Sequence, residues 1–127
     1  MKQKPFRALG KSRATEGDLE TFTPQSLPSL VALSTDEFTA LCPVTGQPDF
    51  CSVTVTYVPD RLCVESKSAK LYLRRYRSHG AFCEDLSATI ARDFFLALNP
   101  KELTCTVVQV PRGGIRLTAT THLQGPT

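Results

Sequence analysis

The fold is decided by residues 82–98, which read FCEDLSATIARDFFLAL. Apolar side chains recur at nearly every fourth position of this stretch, at Phe82, Leu86, Ile90, Phe94 and Leu98. That period predicts an amphipathic helix with one buried face, ended by Asn99-Pro100. Glu84 and Asp85 lie in its predicted first turn, where negative charge interacts favourably with the helix dipole.

Strands and a second helix are predicted around this helix. Residues 50–58 alternate apolar and hydroxyl side chains, a period of two that predicts a half-buried strand. A short strand is expected before it at residues 30–33, and residues 103–110 and 115–121 read as a hairpin around a Pro-Arg-Gly-Gly turn. The other helix is expected from about residue 65 to Arg77, capped by Ser66. The order strand pair, helix pair, strand pair predicts an α+β fold with two helices on one face of an antiparallel sheet.

Length and composition predict one domain. Of the 127 residues, 1–28 are polar, contain three prolines and show no sustained period, so they are expected to form a flexible arm before a single domain at 29–127. The net charge of +3 is too small to indicate a nucleic-acid partner. We expect a cytoplasmic protein without a membrane partner, because no apolar run is long enough to cross a bilayer or to form a secretory signal.

The cysteines and histidines argue against disulfides and metal. The chain has an odd number of cysteines without a C-x-x-C pair: Cys42, Cys51, Cys63, Cys83 and Cys105. Without a secretory signal, this pattern predicts free thiols. His79 and His122 are the two histidines of the chain, so a zinc site is not expected.

Two stretches carry a family resemblance. Residues 65–72 read ESKSAKLY and residues 42–50 read CPVTGQPDF. Together they resemble the QueF family, the NADPH-dependent 7-cyano-7-deazaguanine (preQ0) reductases, and the resemblance extends from about Asp36 to Gly114. It implies a tunnelling fold (T-fold), whose subunits join into a barrel-like homo-oligomer with active sites between subunits. Such an assembly would cover the open edges of a four-stranded sheet.

The resemblance also implies a reaction. The nitrile of preQ0 is reduced to the amine of 7-aminomethyl-7-deazaguanine (preQ1), on the route to queuosine in tRNA, through a covalent thioimide on Cys42. A thiolate suits this step because it is a soft nucleophile for the nitrile carbon. Asp49 is implied to deliver the proton, and a turn containing Pro43, Gly46 and Pro48 would fold the chain back to bring it near Cys42. To remain protonated, Asp49 should be buried or lie near another carboxylate.

Further site residues follow from the resemblance alone. It assigns substrate binding to Val64, Glu65, Ser66, Cys83 and Glu84. A carboxylate accepts both hydrogen bonds from the adjacent N–H and amino groups of a guanine-like edge. Cys83 departs from the family pattern, in which a histidine precedes the glutamate, and a thiol is a poor hydrogen-bond donor.

The implied co-substrate is NADPH, and no metal is expected. The resemblance assigns its binding to Ser66, Lys67, Lys70, Arg112 and Gly113. Basic side chains and a helix start suit a dinucleotide that carries a 2′-phosphate. The sequence contains no G-x-G-x-x-G, so this site is not of the Rossmann type.

The residues alone leave other functions open. Amidinotransferase relatives that make archaeosine use a similar cysteine on a nitrile without reducing it, and the intact stretch at 65–72 favours reduction. A non-catalytic nucleotide- or tRNA-binding protein of the same fold would use the basic helix and would not need Cys42. A zinc-dependent cyclohydrolase is disfavoured because histidines are scarce.

Overall fold

The structure, a computed structural model, describes residues 18–126. Its elements in chain order are β1 (Thr21–Phe22), β2 (Val31–Leu41), β3 (Pro48–Val58), β4 (Cys63–Val64), α1 (Ser66–Arg74), a 3₁₀ turn (Arg75–Ser78), α2 (Cys83–Leu98), β5 (Glu102–Arg112) and β6 (Ile115–Gln124). Strands, a helix pair and a strand pair follow one another, so the predicted α+β order is confirmed.

The main sheet is antiparallel and has four strands in the order β2-β3-β5-β6. Two bulges interrupt its ladders, one between Thr35 and Phe38 and one between Gln109 and Arg112. The short strands β1 and β4 pair with each other in a separate sheet. Within residues 18–126, β2 and β6 are the edge strands of the main sheet, and Leu41 at the end of β2 also forms a single parallel bridge with Gly80.

The core lies between the main sheet and the two helices. Alternate residues of β3 are buried on the helix side, whereas Ser52, Thr54 and Thr56 on the opposite side are half-buried. The repeating apolar residues of α2 are buried too: Leu86, Ile90, Phe94 and Leu98 are each at most 2% exposed. Burying side chains of this size contributes about 1.5–3 kcal/mol each. Both helices therefore cover one face of the sheet, as the sequence predicted.

Two element lengths differ from the prediction. The strand expected at residues 30–33 runs from Val31 to Leu41, because it pairs along β3 and a bulge absorbs the polar residues that interrupt its alternation. The first helix was expected to reach Arg77, but α1 ends at Arg74 and the 3₁₀ turn continues to Ser78. Such tightening is frequent at helix ends.

The predicted arm is described in part. Residues 1–17 lie outside the described residues, and residues 18–28 include β1. Across the described range, no helix combines the length and the apolar character that crossing a membrane requires.

Candidate active site

Cys42 begins the turn that joins β2 to β3. Its N–H donates to the carbonyl of Gln47 at 2.8 Å, and the N–H of Gly46 donates to the carbonyl of Cys42 at 2.8 Å. Gly46 has a φ of 74°, a conformation that glycine adopts without steric cost. The turn therefore holds the Cys42 side chain, half-buried, at one end of the main sheet.

The turn also favours the ionised form of this thiol. A hydrogen bond from the Thr45 side chain, followed by backbone hydrogen bonds from Thr45 and Val44, lowers the pKa of Cys42 below its ordinary value of 9.0. Burial and the charge of Asp49 act in the opposite direction with smaller effects. Because the thiolate is the nucleophilic form of cysteine, these hydrogen bonds increase the reactivity of Cys42 at neutral pH.

Asp49 lies beside this turn. It is opposite Ala40 in the β2–β3 ladder, so the chain folds back as predicted and brings Asp49 next to the residues that precede Cys42. The Asp49 side chain is buried, at 7% exposure, as its predicted role requires. Its charge acts on the thiols of both Cys42 and Cys83.

The segment between the two helices brings the start of α2 to the same end of the sheet. The N–H of Leu41 donates to the carbonyl of His79 at 3.0 Å, and the N–H of Ala81 donates to the carbonyl of Leu41 at 3.1 Å. Residues 79–81 therefore attach to the last residue of β2, which directly precedes Cys42. The first turn of α2, with Cys83 and Glu84, follows two residues later.

Cys83 and Glu84 differ in exposure. Cys83 is 5% exposed, and its thiol donates to the carbonyl of Val107 on β5 at 3.5 Å. Burial, with a smaller contribution from the charge of Glu84, raises the pKa of Cys83. Glu84 is exposed. One end of the sheet thus carries four candidate residues: Cys42, Asp49, Cys83 and Glu84. Of their two carboxylates, that of Asp49 is buried and that of Glu84 is exposed to solvent.

Residues 64–72, which we call the signature segment, lie at the other end of the main sheet. The N–H of Val64 donates to the hydroxyl of Tyr57 at 3.0 Å, and Tyr57 pairs with Val31 at the start of β2. Asp49 and Tyr57 are separated by eight positions of β3, which is about 25 Å at the usual rise of a strand. One chain therefore does not bring Glu65 and Ser66 together with Cys42 and Asp49.

Glu65 is the N-cap of α1. Its Oε2 accepts the N–H of Lys67 and its Oε1 accepts the N–H of Ser68, both at 2.7 Å, and its side chain is buried. The prediction that Ser66 caps this helix is wrong, because Ser66 is already its first helical residue. A carboxylate oxygen can accept more than one hydrogen bond, so these two contacts do not exhaust the acceptor capacity of Glu65.

The predicted cofactor residues also divide between the two ends. Ser66 and Lys70 are exposed and Lys67 is half-buried at the start of α1. Gly113 lies in the β5–β6 turn with a φ of 57°, and a Cβ added to it would meet nothing within 4 Å. The side chain of Arg112 lies outside what the structure describes. Lysines and an open glycine turn fit the phosphates of a dinucleotide.

No metal site is formed by the described part of the chain. Among residues 18–126, no three His, Cys, Asp or Glu side chains are grouped so that they could hold a metal ion.

The sequence did not predict a cluster of polar and aromatic side chains that joins α1 and the 3₁₀ turn to α2. The hydroxyl of Tyr72 donates to Oδ2 of Asp93 at 2.5 Å and lies 2.9 Å from the hydroxyl of Tyr76. Arg75 contacts the same Asp93 oxygen at 3.3 Å. Burial, followed by the hydrogen bond with Asp93, raises the pKa of Tyr72. These contacts join α1 to α2, and the 21-residue separation of Tyr72 and Asp93 hides them from any local pattern.

A family model matches the part of the chain from β3 to β6. Residues 48–126 match the family described as QueF-like protein, and this range covers more than half of the chain. The chain belongs to this family. The resemblance inferred from residues 42–50 and 65–72 is therefore confirmed.

Individual relatives extend the match. The NADPH-dependent 7-cyano-7-deazaguanine reductase of Streptococcus thermophilus is 56% identical over 81 residues, which are 64% of this chain and 50% of that protein. The protein of the same name from Desulfovibrio desulfuricans is 42% identical over 122 residues, which are 88% of this chain and 72% of that protein. The chain thus spans about half the length of the streptococcal relative.

A solved structure shows a similar fold. The archaeosine synthase QueF-Like, crystallised in the apo form, matches with a TM-score of 0.73 at 24% sequence identity. The match covers 80% of this chain and 100% of that chain. At this level of identity the likeness concerns the fold alone.

Proposed function

We propose that this protein reduces the nitrile of 7-cyano-7-deazaguanine to the aminomethyl group of 7-aminomethyl-7-deazaguanine with NADPH. The strongest support is the half-buried Cys42 thiol with its lowered pKa, beside the buried Asp49. The names of the Streptococcus and Desulfovibrio relatives agree with this activity. The product belongs to the route that makes queuosine in tRNA, and a cytoplasmic location goes with this role.

The first step is a covalent addition. The Cys42 thiolate, favoured by its hydrogen bonds from Thr45 and Val44, attacks the nitrile carbon and forms a C–S bond. The displaced π-electron pair of the C≡N group takes a proton from the carboxyl of Asp49. The product is a thioimide, in which the carbon is attached to Cys42 and double-bonded to nitrogen.

Reduction follows on the same carbon. When bound, NADPH supplies a hydride in each of two rounds, four electrons in all. After the first hydride, the C–S bond breaks, Cys42 leaves as a thiolate, and a neutral imine remains. The second hydride adds to the carbon of this imine, and its nitrogen takes a second proton from water to give the amine. Cys42 is thereby regenerated, and the reactive thioimide stays attached to the protein until it is reduced.

The binding residues are proposed as two sets. Glu65 and Glu84 supply the carboxylates that accept hydrogen bonds from the N–H and amino groups of the deazaguanine, with Val64, Ser66 and Cys83 beside them. Ser66, Lys67, Lys70, Arg112 and Gly113 bind NADPH, because lysines, a helix start and an open glycine turn suit its phosphates.

A complete site needs more than one copy of the chain. The signature segment and the Cys42 turn are about 25 Å apart within one chain, too far for one small substrate to touch both. We propose a barrel-like homo-oligomer in which one subunit contributes Glu65 and another contributes Cys42. The edge strands β2 and β6, of 11 and 10 residues, are long enough to pair between subunits.

The test counts NADPH oxidised per nitrile by the purified protein. Two per nitrile are expected, with a mass increase on Cys42 equal to that of the substrate when NADPH is left out. Cys42→Ala should abolish both signals. Cys105→Ala is the matched control, since Cys105 is fully buried in β5 and its thiol has a pKa raised to about 12. Its variant should keep turnover.

Two outcomes would contradict the proposal. An adduct on Cys42 without NADPH oxidation would indicate a transfer reaction of the amidinotransferase kind. No adduct, together with salt-dependent affinity for RNA, would indicate a non-catalytic binding protein.

A further inference from the structure

Residues 20–22, which we call the strap, are attached to the signature segment by a closed set of hydrogen bonds. The N–H of Glu65 donates to the carbonyl of Glu20 at 2.8 Å, and the N–H of Glu20 donates to the hydroxyl of Ser68 at 3.0 Å. The Ser68 hydroxyl donates in turn to the carbonyl of Glu65 at 2.7 Å. Each of the three residues is bonded to the other two.

Strand pairing extends this attachment. Thr21 pairs with Val64 and Phe22 pairs with Cys63, which makes β1 the partner of β4. Glu65 and Ser68 are 8% and 2% exposed, so the hydrogen bonds between these two residues are buried, and the bond from Glu20 to Ser68 is partly buried. A buried hydrogen bond is costly to lose, because the group left behind has no water to replace its partner.

Ser68 connects the strap to the Glu65 carboxylate. Its hydroxyl bonds to the strap, and its N–H donates to Oε1 of Glu65. The strap thus restrains the backbone of Glu65 on one side, and the first turn of α1 restrains its carboxylate on the other. A recognition carboxylate restrained in this way loses little conformational freedom when a ligand binds.

We infer that the strap is a positioning element, with Glu20 and Ser68 as positioning residues that hold Glu65 for the guanine-like edge of the substrate. This inference rests on the function proposed above. The hydrogen bonds that lower the pKa of Cys42 come from Thr45 and Val44 of its own turn, which lie outside the strap and α1, so loosening the strap should leave the thiol and its donors unchanged. The strap therefore governs affinity for the nitrile substrate and not the addition step.

The test uses point variants of the full chain. Ser68→Ala removes the hydroxyl that joins the strap to α1, and Glu20→Pro removes the N–H that donates to it. Each should raise the KM for 7-cyano-7-deazaguanine about tenfold, the order of effect expected from losing one partly buried hydrogen bond, with kcat unchanged. Glu20→Ala keeps the N–H and carbonyl, so its KM should lie closer to that of the wild type than the KM of Glu20→Pro.

Two controls separate positioning from loss of stability. Ile90→Val destabilises the core on α2, outside the strap and α1, and should leave the KM unchanged. The rate at which iodoacetamide alkylates Cys42 should be the same in all strap variants. Any of three results would overturn the inference. The KM could be unaffected by Ser68→Ala and Glu20→Pro, or Glu20→Ala and Glu20→Pro could raise it equally. The third result is alkylation of Cys42 that slows in the same variants that raise the KM.

Calorimetry distinguishes an error in the strap inference from an error in the proposed function. Calorimetry without NADPH gives the dissociation constant of 7-cyano-7-deazaguanine for two proteins that both carry Cys42→Ala, one with Ser68 and one with Ser68→Ala. If the wild type binds this nitrile without reducing it, the reductase proposal is wrong, and a Kd raised in Ser68→Ala still supports the strap. If the wild type reduces it and Ser68→Ala has normal affinity, the strap inference is wrong and the reductase proposal stands.

Discussion

The Cys42 turn and the start of α2 at Cys83 give the same side chain opposite properties. Cys42 is half-buried, and hydrogen bonds from Thr45 and Val44 lower its pKa. Cys83 is 5% exposed, and burial raises its pKa. When ionised, Asp49 raises both pKa values, so this carboxylate does not account for the difference. Local donors and burial account for it, and this is why the proposed mechanism uses Cys42 as the nucleophile and Asp49 as the acid.

Asp49→Asn provides the strongest test of this division of roles. Loss of the general acid should lower the rate of nitrile reduction about 10²- to 10⁴-fold. As the proposed acid, Asp49 carries its proton before the addition step, and asparagine is also neutral and of similar size, so the hydrogen bonds from Thr45 and Val44 should still lower the pKa of Cys42. At neutral pH the alkylation of Cys42 should therefore stay close to the wild-type rate while turnover collapses.

Steady-state kinetics and iodoacetamide labelling of the Asp49→Asn protein measure the two effects separately. Collapsed turnover with normal alkylation is the informative result, because misfolding would change the reactivity of the Cys42 thiol as well. Faster alkylation would indicate that Asp49 is ionised in the free protein and would contradict its role as the acid. Reduced alkylation of Cys42 in this variant would show that Asp49 supports the turn itself, and its role as the acid would lose its support.

Alkylation of the wild type compares the two thiols directly. Cys42 should react with iodoacetamide about a hundredfold faster than Cys83, which becomes accessible through local opening of α2. Peptide mapping by mass spectrometry gives both rates in one experiment. The half-maximal rate for Cys42 should lie below pH 9.0, since its pKa is lowered from that value. Similar rates for the two cysteines would remove the basis of the comparison.

Local sequence patterns predicted the elements that local forces determine. The four-residue period of residues 82–98 gave α2, because a single apolar face is enough to specify a helix against a sheet. The turn after Cys42 was also predictable, since Gly46 permits the positive φ that closes it and brings Asp49 opposite Ala40.

Features that depend on distant contacts were not predictable. The extension of β2 past Asp36 and Glu37 comes from its pairing with β3 and from a bulge that no alternation shows. The attachment of Glu20 to Ser68 spans 48 positions, and no local period links them. The separation of Glu65 from Cys42 was hidden for the same reason, because the motifs name candidate residues and give no distance between them.

Thr45→Val gives the smallest expected effect and the finest test of the Cys42 turn. It removes the side-chain donor that contributes most to lowering the pKa of Cys42, while the backbone donors of Thr45 and Val44 remain. The pKa should therefore rise towards its ordinary value, and alkylation at neutral pH should slow. Thr45→Ser keeps a hydroxyl and should behave like the wild type. The Thr45→Val and wild-type rates should converge at high pH, where both thiols are fully ionised. A difference that persists there would mean that Thr45 controls access to Cys42 and leaves its ionisation unchanged.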